Sequence, residues 1–375
     1  MKPAIYIAAT NQHEGKTTAC LGILSGLKKH YKKIGFIKPV GQEHVMVNET
    51  TSVDKDVILF KECFHLKGQY EEMSPIIFKS GFTRDYLDGK VSTPYLEEKI
   101  IKAYEAQEKK CDCMIVEGTG HVGVGSIADI NNAKVASLLG LEMVVVTSAG
   151  VGSSFDLLAL TKTMCDQYKV NIAGVILNRV LDHKREMVID YMSRALKQWD
   201  IPLLGCIPYD RFLTIPTMQD FETLFKTHLI SGENHRMRHF ETSRLVATSV
   251  EMYEKLIIPS QLVITPSSRE DIVFATLKAH WNTKIKHPEA DLKSGFIFTG
   301  SSPPTEHIVS QIRKADIPAL YCARSSFSAM KMISGFTAKI TFEDEQKVHE
   351  AISVMENHID LERLCHIMER RVHSR

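Results

Sequence analysis

The sequence predicts an α/β protein: a three-layer domain on a mainly parallel sheet, followed by a smaller α/β domain. Three observations lead there. Short apolar runs alternate with longer amphipathic segments along most of the chain. The runs are near-continuous Ile, Val and Leu rather than alternating, as in parallel strands covered on both faces. Gly or Pro marks most joins, at Gly140, Gly150, Gly174, Pro202 and Pro208.

In chain order, Ala4–Ala9 reads as a buried strand, as do Met114–Val116, Met143–Thr147 and Ile172–Leu177, with Ile34–Ile37 and Leu203–Ile207 as shorter candidates. Helical periodicity fits Thr18–Lys29, Val57–Cys63, Thr93–Lys109, Ala133–Leu139, Phe155–Tyr168 and Lys184–Gln198. Strand–helix repetition of this kind implies right-handed crossovers and helices on both faces of the sheet. The pattern changes near residue 225. Residues 226–244 are polar and rich in His and Arg, and read as a join, with a helix expected from about Thr242 to Lys255. A second series follows: strand Gln261–Thr265, helix Ser268–His280, strand Gly295–Thr299, helix Thr305–Lys314, then Pro318–Cys322, Ser325–Ser334 and Glu343–Asn357. The expected domains are therefore 1–225 and 226–375, the second including its linker helix.

The length of 375 residues suits two domains. Hydrophobic residues at 44% and charged residues at 24% are ordinary globular usage and exclude wholesale disorder. Lys+Arg is 46 and Asp+Glu 45, which gives no global reason to expect nucleic acid or an anionic membrane as partner. No run of about 18 apolar residues predicts a membrane span, and the N-terminal apolar run is too short for a signal peptide. The eight cysteines are scattered without a CxxC pair, which points to a reducing, cytoplasmic setting. Cys111 and Cys113, the one close pair, read as the opening of a strand. The histidines at 235, 239, 366 and 373 read as solvated, and the basic end Glu369–Arg375 as a frayed helix end.

The strongest chemical signal lies between the first strand and the first helix, in Ala9-Thr-Asn-Gln-His-Glu-Gly-Lys-Thr-Thr18. A phosphate loop needs that context. Backbone N–H groups over Gln12, His13, Glu14, Gly15, Lys16, Thr17 and Thr18 would form an anion nest, and the helix beginning near Lys16 adds its positive end. Gly15 allows close backbone approach. Lys16 is placed to reach β/γ-phosphates and the Thr17 hydroxyl to ligate Mg2+, so ATP is the expected ligand. The strict GxxxxGK[ST] spacing fails, because Thr10 stands where the first glycine belongs; a spacing one residue longer puts Ala9 there. Glu117 ends the strand Met114–Val116 and faces the same crevice. Asp56 opens a helix, where it either ligates magnesium or complements the helix dipole. Lys38 ends the second strand, kept extended by Pro39, and either stabilises transferring charge or sits exposed at the strand end. Gly150–Ser154 reads as a tight strand–helix join rather than a second anion nest.

Taken together these residues resemble dethiobiotin synthetase, a P-loop NTPase, and the dethiobiotin-synthetase-like region at the N-terminus of long phosphotransacetylases. The resemblance rests on Gly15-Lys16-Thr17, Lys38-Pro39-Val40, Asp56, Val116-Glu117-Gly118-Thr119-Gly120 and Asn178 in Ile-Leu-Asn-Arg-Val. It implies that Lys16 and Lys38 flank a phosphoryl-transfer centre, that Asp56 and Glu117 hold magnesium, and that Asn178 reads adenine. It also implies a homodimer or larger homo-oligomer. Glu117–Gly125, Asn131–Ala136 and Pro216–Asp220 look closer to the phosphotransacetylase group. Ile264–Asp271 and Phe298–Pro304 look like the DRTGG domain of those proteins, although the naming motif is not literally present. Gly41-Gln42-Glu43 does not reproduce the family's substrate-amine site. Phosphotransacetylase activity is not expected from this length. The expected function is Mg-ATP binding, with ATP hydrolysis or activation of a small carboxylate or carbamate. The alternative is a nucleotide sensor in which the C-terminal domain binds a further small molecule or partner.

Overall fold

The computed structural model describes residues 1–373, and side chains up to residue 370. The chain forms two compact units, one of Met1–Asp210 with the segment from Ile340 onward, the other of Arg211–Lys339.

In the first unit, β1 (Ala4–Ala9), β2 (Ile34–Ile37), β3 (Cys113–Glu117), β4 (Met143–Ser148), β5 (Ile172–Val180) and β6 (Leu203–Pro208) form one six-stranded sheet, in the order β6-β5-β4-β1-β3-β2. Every pairing is parallel. All six residues of β1 are buried, because helices cover both faces. Ala4, Tyr6 and Ala8 join a core with Leu96, Ile100, Ala133, Leu158 and Val188 from helices on one side. Strand alternation turns Ile5 and Ile7 to the other side, where α1 (Lys16–Leu27), α2 (Lys55–Phe64) and two C-terminal helices, Glu345–Glu356 and Leu361–His373, lie.

In the second unit, β7 (Leu229–Ser231), β8 (Thr242–Leu245), β9 (Gln261–Pro266), β10 (Gly295–Thr299) and β11 (Ala319–Cys322) are ordered β7-β11-β10-β9-β8. Only the β7 edge pairs antiparallel. Phe296 and Phe298 pack on one face with Ile272, Ile308 and Ile312, and Ile297 packs on the other with Met218, Phe221 and Phe240.

Three expectations need correction. Thr242–Leu245 is a strand, and the helix after it is only Val250–Glu254. These residues pair in parallel with Gln261–Ile264 of β9, a tertiary pairing that outweighs local helical pattern. The polar join of 226–244 contains the edge strand β7. The helices from Glu345 onward belong to the first unit rather than to the second. The reason is packing: Gly22 and Gly26 leave a flat track on α1, against which Met355 and Leu361 lie. Cys111 and Cys113 are buried free thiols. Of the basic C-terminal end, Ser374 and Arg375 lie outside the described residues. Among the described residues no helix is long and apolar enough to cross a membrane.

Candidate phosphate and magnesium site

Strand order assembles the site. β1 lies between β3 and β4, so the loop after β1 opens beside the ends of those two strands, and Asn178 of β5 reaches it past β4. Register fixes the neighbours: Ile7 pairs with Glu117, Ile37 with Val116, and Ser148 with Asn178. Lys38, one residue past Ile37, is thereby brought alongside Glu117.

The loop is held in shape by its own sequence. His13 and Gly15 adopt left-handed conformations, with φ 63° and 91°. Asn11, Gln12 and His13 are exposed, whereas Glu14 and Lys16 are buried. Gly15 is the N-cap of α1 and offers no side chain, so the first N–H groups of the helix have no side-chain cap. Uncapped N–H groups and the helix dipole suit an anion. Asn178 Nδ2 donates to the Glu14 carbonyl at 2.8 Å, and its Oδ1 accepts from Arg179 N at 2.9 Å. The Asn178 amide thus braces the loop and keeps one N–H and one lone pair beyond these bonds. Burial pushes the Glu14 carboxyl above its ordinary range, against the opposing pull of Arg179, Ser148 and Lys16.

Beside the loop lies a dense charge cluster. Lys16 Nζ donates to the Gly120 carbonyl at 2.6 Å, and the Thr17 hydroxyl donates to Glu117 Oε1 at 3.0 Å. Lys38 Nζ binds Asp56 Oδ2 directly and lies 3.2 Å from Asp54 Oδ1 and 3.7 Å from Glu117 Oε1. Burial works to lower the Lys38 amine, but Asp56, Asp54 and Glu117 outweigh it and hold the ammonium well above its ordinary range. Burial pushes the Glu117 carboxyl up to about 7, opposed by Lys38 and Lys16. Lys16 is lowered by burial, with Lys38 pushing the same way and Glu117 opposing.

The expected residues Lys16, Thr17, Lys38, Asp56 and Glu117 therefore meet. Sequence reasoning missed Asp54 and Asn132. Asp54 is 1% exposed and caps α2 by accepting from Asp56 N at 3.0 Å; it also accepts from Gln42 N at 3.1 Å. An Asp directly before the helix Lys55–Phe64, three residues ahead of the apolar run that opens at Val57, is an N-cap signal that could have found it. Asn132 accepts from Tyr6 OH at 2.8 Å and Thr119 N at 3.0 Å, and donates to the Thr119 and His121 carbonyls at 2.8 and 2.7 Å. It fixes the turn whose Gly120 carbonyl holds Lys16. Its signal was weaker, an Asn-Asn pair before an apolar helical run.

Magnesium fits the donor set. Thr17, Asp56 and Glu117 are hard oxygen donors, and Glu117 Oε2 is buried with no hydrogen-bond partner. Among the described residues no group of three His, Cys, Asp or Glu is spaced to hold a metal by itself. A metal here would therefore need phosphate oxygens and water as well, which is how magnesium usually binds beside nucleotides.

The AAA domain family model matches residues 3–217, and the DRTGG domain model matches 223–336. A phosphate acetyltransferase of Nitratidesulfovibrio vulgaris is 24% identical over 100% of this chain and 53% of its own length. The chain thus spans about half the length of the curated phosphate acetyltransferases it matches. The ATP-dependent dethiobiotin synthetase BioD of Bacillus subtilis subsp. natto is 25% identical over 54% of this chain and 86% of its own length. Among solved structures, a putative plasmid partition protein from Borrelia burgdorferi bound to AMPPNP covers 57% of this chain and 90% of its own, at 15% identity and a TM-score of 0.36. With its phosphate loop after the first strand of a parallel sheet, the chain belongs to the AAA domain family, and a DRTGG domain follows that domain in it.

Proposed function

We propose that the first unit binds Mg-ATP at Gly15–Thr18 and either hydrolyses it or uses it to activate a small carboxylate or carbamate. The convergence of Lys16, Thr17, Lys38, Asp56 and Glu117 beside an uncapped helix N-terminus carries this reading. Phosphoryl transfer asks a protein mainly for positioning and for charge stabilisation. Lys16 and the N–H groups of α1 would bind the phosphates. Lys38 would face the oxygens on which charge grows. Thr17, Asp56 and Glu117 would hold magnesium, which neutralises charge on the phosphate oxygens when bound. Asn178, at the loop's flank, has the remaining donor and acceptor with which to meet a base.

Calorimetric titration with Mg-AMPPNP tests the binding, and Lys16→Ala is expected to abolish it. Absence of binding in the unsubstituted protein overturns the reading. Phosphate release that is unchanged in Lys38→Ala overturns the role given to Lys38 alone.

A second reading, nucleotide sensing, has its own support: the segment that follows the second unit packs on α1, the helix that starts at the phosphate loop. ATP should then slow hydrogen exchange over 345–370. Unchanged exchange with saturating ATP overturns it.

A further inference from the structure

Lys38 lies where a cation is needed before any ligand arrives. Its amine contacts Asp56, Asp54 and Glu117, and the side chain is 8% exposed, against 2% for Asp54 and 1% for Glu117. Removing one partner of such a buried set leaves uncompensated charge, so an internal cation is required for the cluster to be folded and ionised. Two of the same carboxylates, Asp56 and Glu117, are the residues that suit magnesium, and Glu117 Oε2 remains without a hydrogen-bond partner. One set of carboxylates thus serves two cations that repel each other.

We propose that Lys38 is a built-in counter-ion that excludes divalent metal from the nucleotide-free site and yields its place when Mg-nucleotide binds. The inference rests on the Mg-ATP reading and adds an order of events to it. In the free protein the Lys38 ammonium offsets part of the negative charge of Asp54, Asp56 and Glu117. A divalent ion alone brings two charges but no phosphate to receive the displaced ammonium, so displacement is unfavourable. A nucleotide brings the phosphate charge, and the ammonium exchanges carboxylate partners for phosphate partners. Metal binding thereby becomes conditional on nucleotide, and the lysine is released toward the phosphates only when there is a group to transfer. No covalent step is involved: the ammonium stays protonated, because both sets of partners are anionic.

The test is Mn2+ titration of the nucleotide-free protein, read by calorimetry and by thermal melts in EDTA and in Mn2+. The unsubstituted protein should bind Mn2+ weakly and melt alike in both. Lys38→Met and Lys38→Gln should bind Mn2+ at least roughly tenfold more tightly, melt lower in EDTA, and recover in Mn2+. Lys38→Arg, which keeps the charge, should behave as the unsubstituted protein. Mn2+ affinity in Lys38→Met and Lys38→Gln no higher than in the unsubstituted protein overturns the proposal. Should Lys38→Met fail to fold, Lys38→Met with Asp54→Asn removes one uncompensated charge and carries the same comparison. These measurements contain no nucleotide. They can fail while Mg-AMPPNP binding stands, and succeed while it fails.

Discussion

A Cβ on Gly22 would lie 2.1 Å from Met355 Cβ. The helix that begins at the phosphate loop is thus in backbone-close contact with a helix more than three hundred residues later in the chain. The neighbouring atom is itself a Cβ, fixed to its helix, so Gly22→Ala must push the two helices apart. Overpacking of this kind costs about 1–3 kcal/mol. Gly26→Ala meets Leu361 Cδ1 at 2.3 Å, the far end of a flexible side chain, and should cost less. Denaturant unfolding of both variants checks the order. Equal costs would show that the C-terminal helices dock loosely.

Gly15 carries two constraints, its φ of 91° and a Cβ position 2.1 Å from Asn178 Nδ2. Gly15→Ala should therefore lose nucleotide binding and destabilise the protein by about 2 kcal/mol, of which roughly 1–2 is the left-handed backbone. Adding Asn178→Ala removes the clash but not the backbone strain. The double variant should be more stable than the sum of the singles predicts, a coupling that a double-mutant cycle measures.

Asn132→Leu should cost about 3 kcal/mol, because Tyr6 OH and Thr119 N lose their acceptor in a buried place. Loosening the Thr119–His121 turn should also weaken nucleotide binding through the Lys16 anchor at Gly120. Unfolding and nucleotide titration check the two effects separately. A loss of stability with intact binding would mean that Lys16 does not depend on this turn.

The raised Glu117 carboxyl gives a pH signature in the metal- and nucleotide-free protein. Its value moves from 4.5 to about 7 on folding. Between those values the folded state holds a proton that the unfolded state has released. The stability contributed is fully present below 4.5 and is lost as pH rises through about 7. Glu117→Gln removes the titration. The stability of the unsubstituted protein minus that of Glu117→Gln should thus fall from pH 5 to pH 8, by urea unfolding in EDTA. A flat difference would contradict the burial of a carboxyl whose Oε2 has no hydrogen-bond partner.

Most strands were legible because their burial is local in pattern. Ala4–Ala9, Ile34–Ile37 and Gly295–Thr299 fall where the apolar runs are. Helix ends shifted by a few residues: the first helix begins at Lys16 rather than Thr18, since Gly15 ends the loop. The Thr242–Leu245 strand was not legible, because it is defined by pairing with Gln261–Ile264 rather than by its own periodicity. Asp54 was hidden for a related reason. Its value lies in meeting Lys38, and a short polar stretch gives no sign of what it will face.

Pattern along the chain was enough for the α/β class and the nucleation of a phosphate loop between a buried strand and a helix, because backbone turns and apolar periodicity are local physics. It also supplied Lys16, Thr17, Lys38, Asp56 and Glu117 as a list. Which of them touch was decided by strand order and register, which set Lys38 beside Glu117 and brought Asn178 to the loop. The return of the C-terminal helices to α1 was likewise a tertiary outcome. Amphipathic helices look alike in sequence, and these two bury their apolar faces where the glycine track on α1 and the strands β1 and β6 receive them.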